Sequence, residues 1–427
     1  MSGERHLPSL LFANDRGEIQ EYDGLKMAGM AGGNFFRPSS EDIIPLPEGS
    51  ELFSLSGRLP VGLEPGTNTP ALLDVDPYDG QTPIQAVAAF LPPAHTATYW
   101  AAFERQPGCP VLPLFAYFAV GWKDNRFWAA AFRCDADSRQ DPIHFHQPTI
   151  EKKTAQRLAA TTHNRLIQHL GTCCLTYGCP AARNYFLDRW EAPLPSSPVC
   201  NADCIGCISL QTSGCCPSTQ QRIGFAPTPE ELAEVAVSHL RHAARPIVSF
   251  GQGCEGEPLL QAKTIAAAIR LIRQRTDRGT INCNTNASLP EAVAMLAETG
   301  LDSMRVSLNS AQPHYHQRYY RPKGFSFTDV CASIRAMKKQ RRFVSLNYFI
   351  LPGFTDDPAE FAALCELVKA SGPDLIQLRN LNMDPDLYCT SINFSPSGTP
   401  MGIRNWQQRL ARRFPRLRFG YFNPCLR

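Results

Sequence analysis

"PVCNADCIGC", residues 198–207, sets Cys200, Cys204 and Cys207 at the spacing C-x3-C-x2-C behind a proline-rich lead-in. What three neighbouring thiols do depends on the compartment they occupy, so composition is read first. A chain of 427 residues is long enough for one large domain and an accessory one. With 43% hydrophobic and 19% charged residues it reads as soluble and globular. The longest apolar stretch, "VLPLFAYFAVGW" (111–122), is too short to cross a bilayer, and "MSGERHLPSL" at the N-terminus lacks the basic-then-apolar layout of a signal peptide. The expectation is a cytoplasmic protein with no membrane partner. Sixteen cysteines in a reducing compartment point to metal or redox chemistry more than to a disulfide framework. A formal net charge of +3 gives no bulk nucleic-acid signal.

Upstream of the three cysteines, residues 1–150 carry short apolar runs broken by Gly, Pro and Asn. In one of them, "LFAYFAVGWKDNRFWAAAF" (114–132), Lys123, Asp124 and Asn125 predict a hairpin turn. This segment is expected to be a β-rich accessory domain. Residues 151–194 shift to helix formers and end in prolines, which reads as a helical connecting segment closing on a linker or a very short strand.

Downstream, strand-like runs alternate with helices: "PIVSF" (246–250), "TINCN" (280–284), "SMRVSL" (303–308), "FVSLNYFI" (343–350) and "DLIQLRN" (374–380). Thr228, Pro229 and Glu231 read as a helix N-cap, first-turn proline and capping box; Ser288 with Glu291, and Asp357 with Pro358 and Glu360, repeat the device. Gly300 and Gly372 sit where C-caps belong. With a short strand before Cys200, residues 195–395 hold six βα units, fewer than the eight of a closed barrel. The fold class expected is α/β: a partial (βα)6 TIM-type barrel behind a β-rich N-terminal domain, with a C-terminal helix and tail at 396–427.

Polar residues gather at the strand ends, where a barrel builds its site. A [4Fe–4S] cluster has four irons, and electron-transfer clusters hold them with four cysteines. Three cysteines leave one iron open to a ligand that is not protein. The loop at Cys200, Cys204 and Cys207, followed by this βα pattern, resembles the radical S-adenosylmethionine superfamily, whose cofactor chelates the open iron through its amino and carboxylate groups. That resemblance spans roughly residues 195–385 and implies a [4Fe–4S] cluster, S-adenosylmethionine and an external one-electron donor of the flavodoxin or ferredoxin type. It further implies reductive cleavage of S-adenosylmethionine and hydrogen abstraction from a substrate that the sequence does not identify.

Further motifs are similar to those of the family in the expected order. "SFGQGCEGEPLL" (249–260) resembles its Gly-Gly-Glu-Pro loop, with Gly256, Glu257 and Pro258 matching and Glu255 in place of the first glycine. Glu257 is then expected to hold the ammonium of the cofactor. "NTNAS" (284–288) is similar to Thr-Asn-Gly and brings in Asn286; "RVSLNS" (305–310) places Ser307 and Asn309 toward the methionyl carboxylate and ribose. In "QRYYRPKGFSFTDVCASI" (317–334), Arg321 matches an arginine that clamps the carboxylate. Gly206 departs from the family, which has an aromatic before the third cysteine, so adenine packing is expected from elsewhere, with Ile205 the candidate.

Other readings stay open from the sequence. Structural zinc would use the same thiols, although zinc sites usually pair two close doublets. The chain could be a non-catalytic iron–sulfur protein for electron transfer or redox sensing, or a zinc-stabilised nucleic-acid-binding module. Cys173, Cys174, Cys179, Cys215 and Cys216 are enough for a second cluster, or are small buried hydrophobes. Cys254, inside the cofactor loop, is a candidate near the reacting centre or a packing thiol. "KKQRR" (338–342) and the basic tail read as solvated helix faces, with Trp406, Leu410 and Phe414 docking on the core, so a nucleic-acid partner is possible but not favoured. Histidines 144, 146, 314 and 316 form i,i+2 pairs without identified metal partners.

Overall fold

The computed structural model describes residues 7–211, 214 and 216–427. They divide into two compact units: Met1–Ala136 with Phe349–Ala362 and Leu378–Pro415, and Asp137–Tyr348 with Ala363–Gln377 and Arg416–Arg427.

In the first unit, short antiparallel strands run between Ser9 and Arg133. Val120–Lys123 pairs with Arg126–Ala129 and leaves a two-residue turn at Asp124 and Asn125, whose φ angles of 53° and 57° suit a primed hairpin turn. Lys123 is therefore a strand end, opposite Arg126. The unit is pinned internally by a shielded ion pair, Arg58 Nη2 to Asp384 Oδ2 at 2.6 Å. The same carboxylate oxygen accepts the Leu112 N–H, and Arg58 also donates to the carbonyls of Ser56 and Pro110. Isoleucine 403, Trp406 and Leu410 are buried along the helix Ile403–Arg413, while Phe414 is its half-buried cap.

The second unit is organised by a seven-stranded sheet whose spatial order is the chain order: Arg189–Pro193, Ala244–Phe250, Thr280–Thr285, Ser303–Leu308, Phe343–Ile350, Leu375–Asn380 and Arg418–Gly420. The first five strands pair in parallel, as do the last two. Helices α1 (Gln147–Ala160), α2 (Arg165–Leu175) and α3 (Pro180–Phe186) precede the sheet. The crossovers are α4 (Pro229–His242), α5 (Ala262–Arg275), α6 (Pro290–Thr299), the pair α7 (Pro313–Tyr320) and α8 (Phe327–Lys339), and α9 (Pro358–Ser371). The expected short strand before Cys200 is the first of these, ending at Pro193. Prolines at 193, 195 and 198 stop it there, since none can donate to a ladder.

The capping box at Thr228 is formed with Glu231, and Asp357 Oδ1 accepts the Ala359 N–H. Ser288 is not a cap: α6 starts one residue later, with Leu289 as N-cap. The Ser288 hydroxyl instead accepts a hydrogen bond from Asn201, in the cysteine loop.

Period-two alternation explains why the sheet curls around a polar interior. Met304, Val306 and Leu308, or Val344, Leu346 and Tyr348, are fully buried. The opposite face carries polar residues, some of which form a network across the sheet. Ser303 donates to Asn282, Asn282 to Ser249 and Ser249 to Glu191, crossing four strands. Asn423, just past the seventh strand, donates to Glu191 on the first at 2.8 Å and accepts from Gln377 on the sixth. Curvature thus brings the two ends of the sheet within one hydrogen bond. Two of the basic residues in 338–342 make internal contacts, Lys338 pairing with Asp374 at 2.6 Å and Arg342 donating to the Ala297 carbonyl, while Lys339 and Arg341 are exposed.

Candidate cofactor and metal site

The loops that follow the first four strands carry the site, and backbone pairing locks them together. In the cysteine loop, the Asp203 and Ile205 N–H groups donate to the carbonyls of Tyr320 and Tyr319 at the end of α7. Lys323 N–H donates to the Asn201 carbonyl, and Lys323 Nζ lies 2.7 Å from Asp203. On the other side, Gly256 and Glu257 N–H groups donate to the carbonyls of Ser197 and Val199 at 2.7 and 2.9 Å. A Cβ on Gly256 would overlap the Val199 carbonyl, so this approach requires glycine.

Cys200, Cys204 and Cys207 are free thiols on this one loop. Burial pushes the Cys204 thiol up, and the neighbouring Cys207 and Cys200 raise it further. Cys200 is raised by burial and next by the Glu257 carboxylate, whose backbone N–H donates to the carbonyl of the preceding residue, Val199. Arg222 Nη2 donates to Cys207 Sγ at 3.5 Å, and Arg222 Nε donates to Ser209. The donor set of three thiols, one facing a guanidinium, suits a bound metal cluster with net negative charge.

Glutamates 255 and 257 divide the labour of the loop after the second strand. Glu255 is buried, and its carboxylate accepts five hydrogen bonds: from the N–H groups of Gly251, Gln252, Ser196 and Ser197 and from the Ser196 hydroxyl. It therefore fixes this loop to the lead-in of the cysteine loop, a role that a glycine could not fill. Glu257 is 4% exposed. It accepts from the Leu259 N–H, the Thr285 hydroxyl and the Asn286 N–H, which ties it to the loop after the third strand. Burial pushes both acids up to about 7. A cation arriving beside Glu257 would favour its charged form. Pro258 opens the short 3-10 turn Pro258–Gln261, capped by Glu257 itself.

The third loop closes the ring. Asn286 Nδ2 donates to Asn201 Oδ1 at 2.8 Å, so this residue touches both the cysteine loop and Glu257. Ala287 takes a left-handed φ of 57°, a conformation that glycine adopts at less cost. Gly251 has φ 75°, and a Cβ there would overlap the Asn284 carbonyl, so the second and third strand ends meet through this glycine.

Other predicted residues are placed less directly. Ser307 is half-buried on the fourth strand, on the face it shares with Ser303. Asn309 is buried, with its amide donating to the Tyr315 carbonyl of α7. Arg321 is the exposed C-cap of α7 at φ 46°, and the next residue, Pro322, bridges to Ala202 of the cysteine loop. Below these loops, the buried Asn284 Nδ2 and Asn347 Oδ1 have no protein partner among the described residues. Such groups fit a polar ligand over the sheet.

Three contributors escape a linear reading. Arg222 lies fifteen residues beyond Cys207, in a stretch without regular structure. Glu255 looks like a departure until the five donors to its carboxylate are seen. The third is Tyr319, 3% exposed, whose hydroxyl is pushed up by burial and by the charges of Cys204 and Cys207. It comes from α7, and the buried Ile205 of the cysteine loop donates its N–H to the Tyr319 carbonyl. A Gln312-Pro313 helix start seven residues earlier is the only local hint.

The remaining cysteines separate. Cys174 is buried against the Thr154 hydroxyl, and Cys216 is buried; Cys215 lies outside the described residues. Cys254 faces Cys173 and His169. Among the described residues, His316 has no hydrogen-bond partner and packs against Tyr320, Phe325 and Phe327. It is a core aromatic, pushed down to about 4 by burial.

A family model described as the Radical SAM superfamily matches residues 194–365. A curated relative, the dual-specificity RNA methyltransferase RlmN of Phenylobacterium zucineum (strain HLK1), is 27% identical over 189 residues, covering 40% of this chain and 48% of the relative. The chain thus spans about half the length of that protein. Solved structures with some likeness include a radical SAM methyltransferase from Sphaerobacter thermophilus, at 17% identity and TM-score 0.39, covering 55% of this chain and 67% of the other. Streptococcus suis SuiB bound to S-adenosylmethionine is 14% identical, with TM-score 0.37 and coverage of 57% and 54%.

Proposed function

Since residues 194–365 belong to the radical SAM superfamily, we propose that this chain is an enzyme that cleaves S-adenosylmethionine reductively and abstracts hydrogen from an organic substrate. The observation that carries the reading is the joining of Cys200, Cys204 and Cys207 to Glu257 and Asn286 in one set of hydrogen-bonded loops. If bound there, the cluster and S-adenosylmethionine would supply one-electron reductive chemistry and the means of hydrogen abstraction.

The chain's own residues bind and orient. Cys200, Cys204 and Cys207 would hold the cluster, and Arg222 would offset thiolate charge at Cys207. Glu257, whose N–H donates to the Val199 carbonyl, receives the cofactor ammonium by a charge-assisted contact, with Gly256 providing the close backbone approach. Asn286, Ser307 and Asn309 offer polar groups to the ribose and carboxylate, and Arg321 offers a cation from the edge. The partly unpaired polar interior at Asn284 and Asn347 receives the substrate. An external flavodoxin- or ferredoxin-type protein delivers the electron.

Reconstitution under anaerobic conditions tests the assignment. The parent is expected to take up close to four irons per chain, with a reduced-cluster spin resonance signal that changes on adding S-adenosylmethionine. Unchanged iron in a variant with all three loop cysteines replaced by alanine would overturn it. A thiol-held structural zinc site, the rival reading, predicts colourless protein in the same experiment.

A further inference from the structure

We propose that His169, Cys173 and Cys254 bind a single zinc ion, at a second metal site separate from the three-cysteine loop. Their ligand atoms all lie within 4.8 Å of one another. His169 and Cys173 are four residues apart on α2, so they project from the same face one turn apart. Cys254 comes from the loop after the second strand, 81 residues along the chain from Cys173 (254 − 173).

The spacing fits zinc. Zinc sits ~2.3 Å from sulfur and ~2.0–2.1 Å from imidazole nitrogen, so at a tetrahedral angle those two ligand atoms are about 3.5 Å apart. Cys173 Sγ and His169 Nε2 are 3.5 Å apart. The Cys173 and Cys254 sulfurs lie within 4.8 Å of each other, and both residues are almost wholly buried, at 1% and 3% exposure. Cysteines on a [4Fe–4S] cluster serve separate irons and stand further apart, so this tight set suits one ion. His169 is only half-buried and meets Phe225 edge-on, which leaves the fourth position on its side for water or an added ligand.

The site has a position that gives it consequence. Cys254 immediately precedes Glu255, whose carboxylate gathers the N–H groups of Ser196, Ser197, Gly251 and Gln252. An ion held by Cys254 and two residues of α2 fastens that loop to the helical segment ahead of the sheet. Metal here acts on loop position, and its presence does not depend on the cluster reading.

The test uses full-length protein stripped of metal under reductant, then titrated anaerobically with Co2+ as a spectroscopic substitute for zinc. To keep the two sites apart, it is done on the variant with Cys200, Cys204 and Cys207 all changed to alanine. One equivalent of Co2+ should bind with thiolate charge-transfer bands and the intense ligand-field bands of a tetrahedral ion, and zinc should bleach them. Cys173→Ser should lose these bands. His169→Gln, which keeps both thiols and alters a half-buried side chain, should weaken binding at least tenfold and shift the ligand-field bands. Unaltered uptake and spectrum in both variants would overturn the proposal, as would no uptake by the parent, including uptake blocked by a Cys173–Cys254 disulfide that reductant does not open. Iron content of the protein with an intact cysteine loop, measured in parallel, reports the cluster alone and so separates failure of one site from failure of the other.

Discussion

Glu257 Oε2 accepts the backbone N–H of Asn286 at 2.9 Å, joining the loop after the second parallel strand to the loop after the third. Because the Glu257 N–H also donates to the Val199 carbonyl, the residue stands between the metal-binding loop and the next strand end. Glu257→Gln keeps the shape and removes the charge. Cofactor affinity should fall by about 1.5–3 kcal/mol, roughly ten- to a hundredfold in Kd, with iron content unchanged. Equal affinity in the variant and parent, measured by equilibrium dialysis, would take this residue out of the cofactor site.

Glu255 plays a different part, and its variants should show it. Glu255→Ala strands four N–H groups, two of them fully buried, and one hydroxyl, so unfolding stability should drop by more than about 3 kcal/mol. Glu255→Gln retains one acceptor oxygen and should lose less. A denaturant titration in which both variants match the parent would contradict the role assigned here.

Arg222 donates to Cys207 Sγ, and hydrogen bonds to cluster sulfurs raise reduction potential. Arg222→Leu should make the cluster harder to reduce while keeping its iron. The check is a potentiometric titration followed by spin resonance, and an unmoved midpoint would show that the guanidinium does not act on the cluster.

His316 gives a pH dependence with a definite sign. Its folded value is pushed down to about 4 by burial among Tyr320, Phe325 and Phe327, against about 6.5 in the unfolded chain. Below pH 6.5 the unfolded state gains a proton that the folded state refuses, so this contribution is present above 6.5 and lost as pH falls towards 4. It amounts to at most about 3 kcal/mol. Glu255 and Glu257, raised to about 7, act in the opposite sense as pH climbs from their unfolded values, so the His316 effect is isolated by difference. The stability gap between parent and His316→Phe should shift in favour of the variant on going from pH 7 to pH 4.5. A gap independent of pH would refute the assignment.

The strands and helices of the sheet were legible because their signals are local. The run "SMRVSL" alternates polar and apolar residues and is a strand over those same six positions; Thr228 and Glu231 form the capping box that their spacing implies. Ser288 misled because a helix cap and a side-chain acceptor for another loop use the same residue type, and Pro290 moves the helix start one residue on. Contacts across long sequence separations left no trace. The pairing of Arg58 with Asp384, the reach of Arg222 to Cys207 and the meeting of Cys254 with His169 depend on chain folding, which no window of neighbouring residues records.

Cleavage of S-adenosylmethionine tests the central claim most directly. Reconstituted protein, with dithionite under anaerobic conditions and no added substrate, should slowly release 5′-deoxyadenosine and methionine in equal amounts. Cys204→Ala should abolish release, and Arg321→Ala should slow it. An intact, reducible cluster that forms no 5′-deoxyadenosine over hours, and whose spin resonance signal S-adenosylmethionine leaves unchanged, would contradict the account.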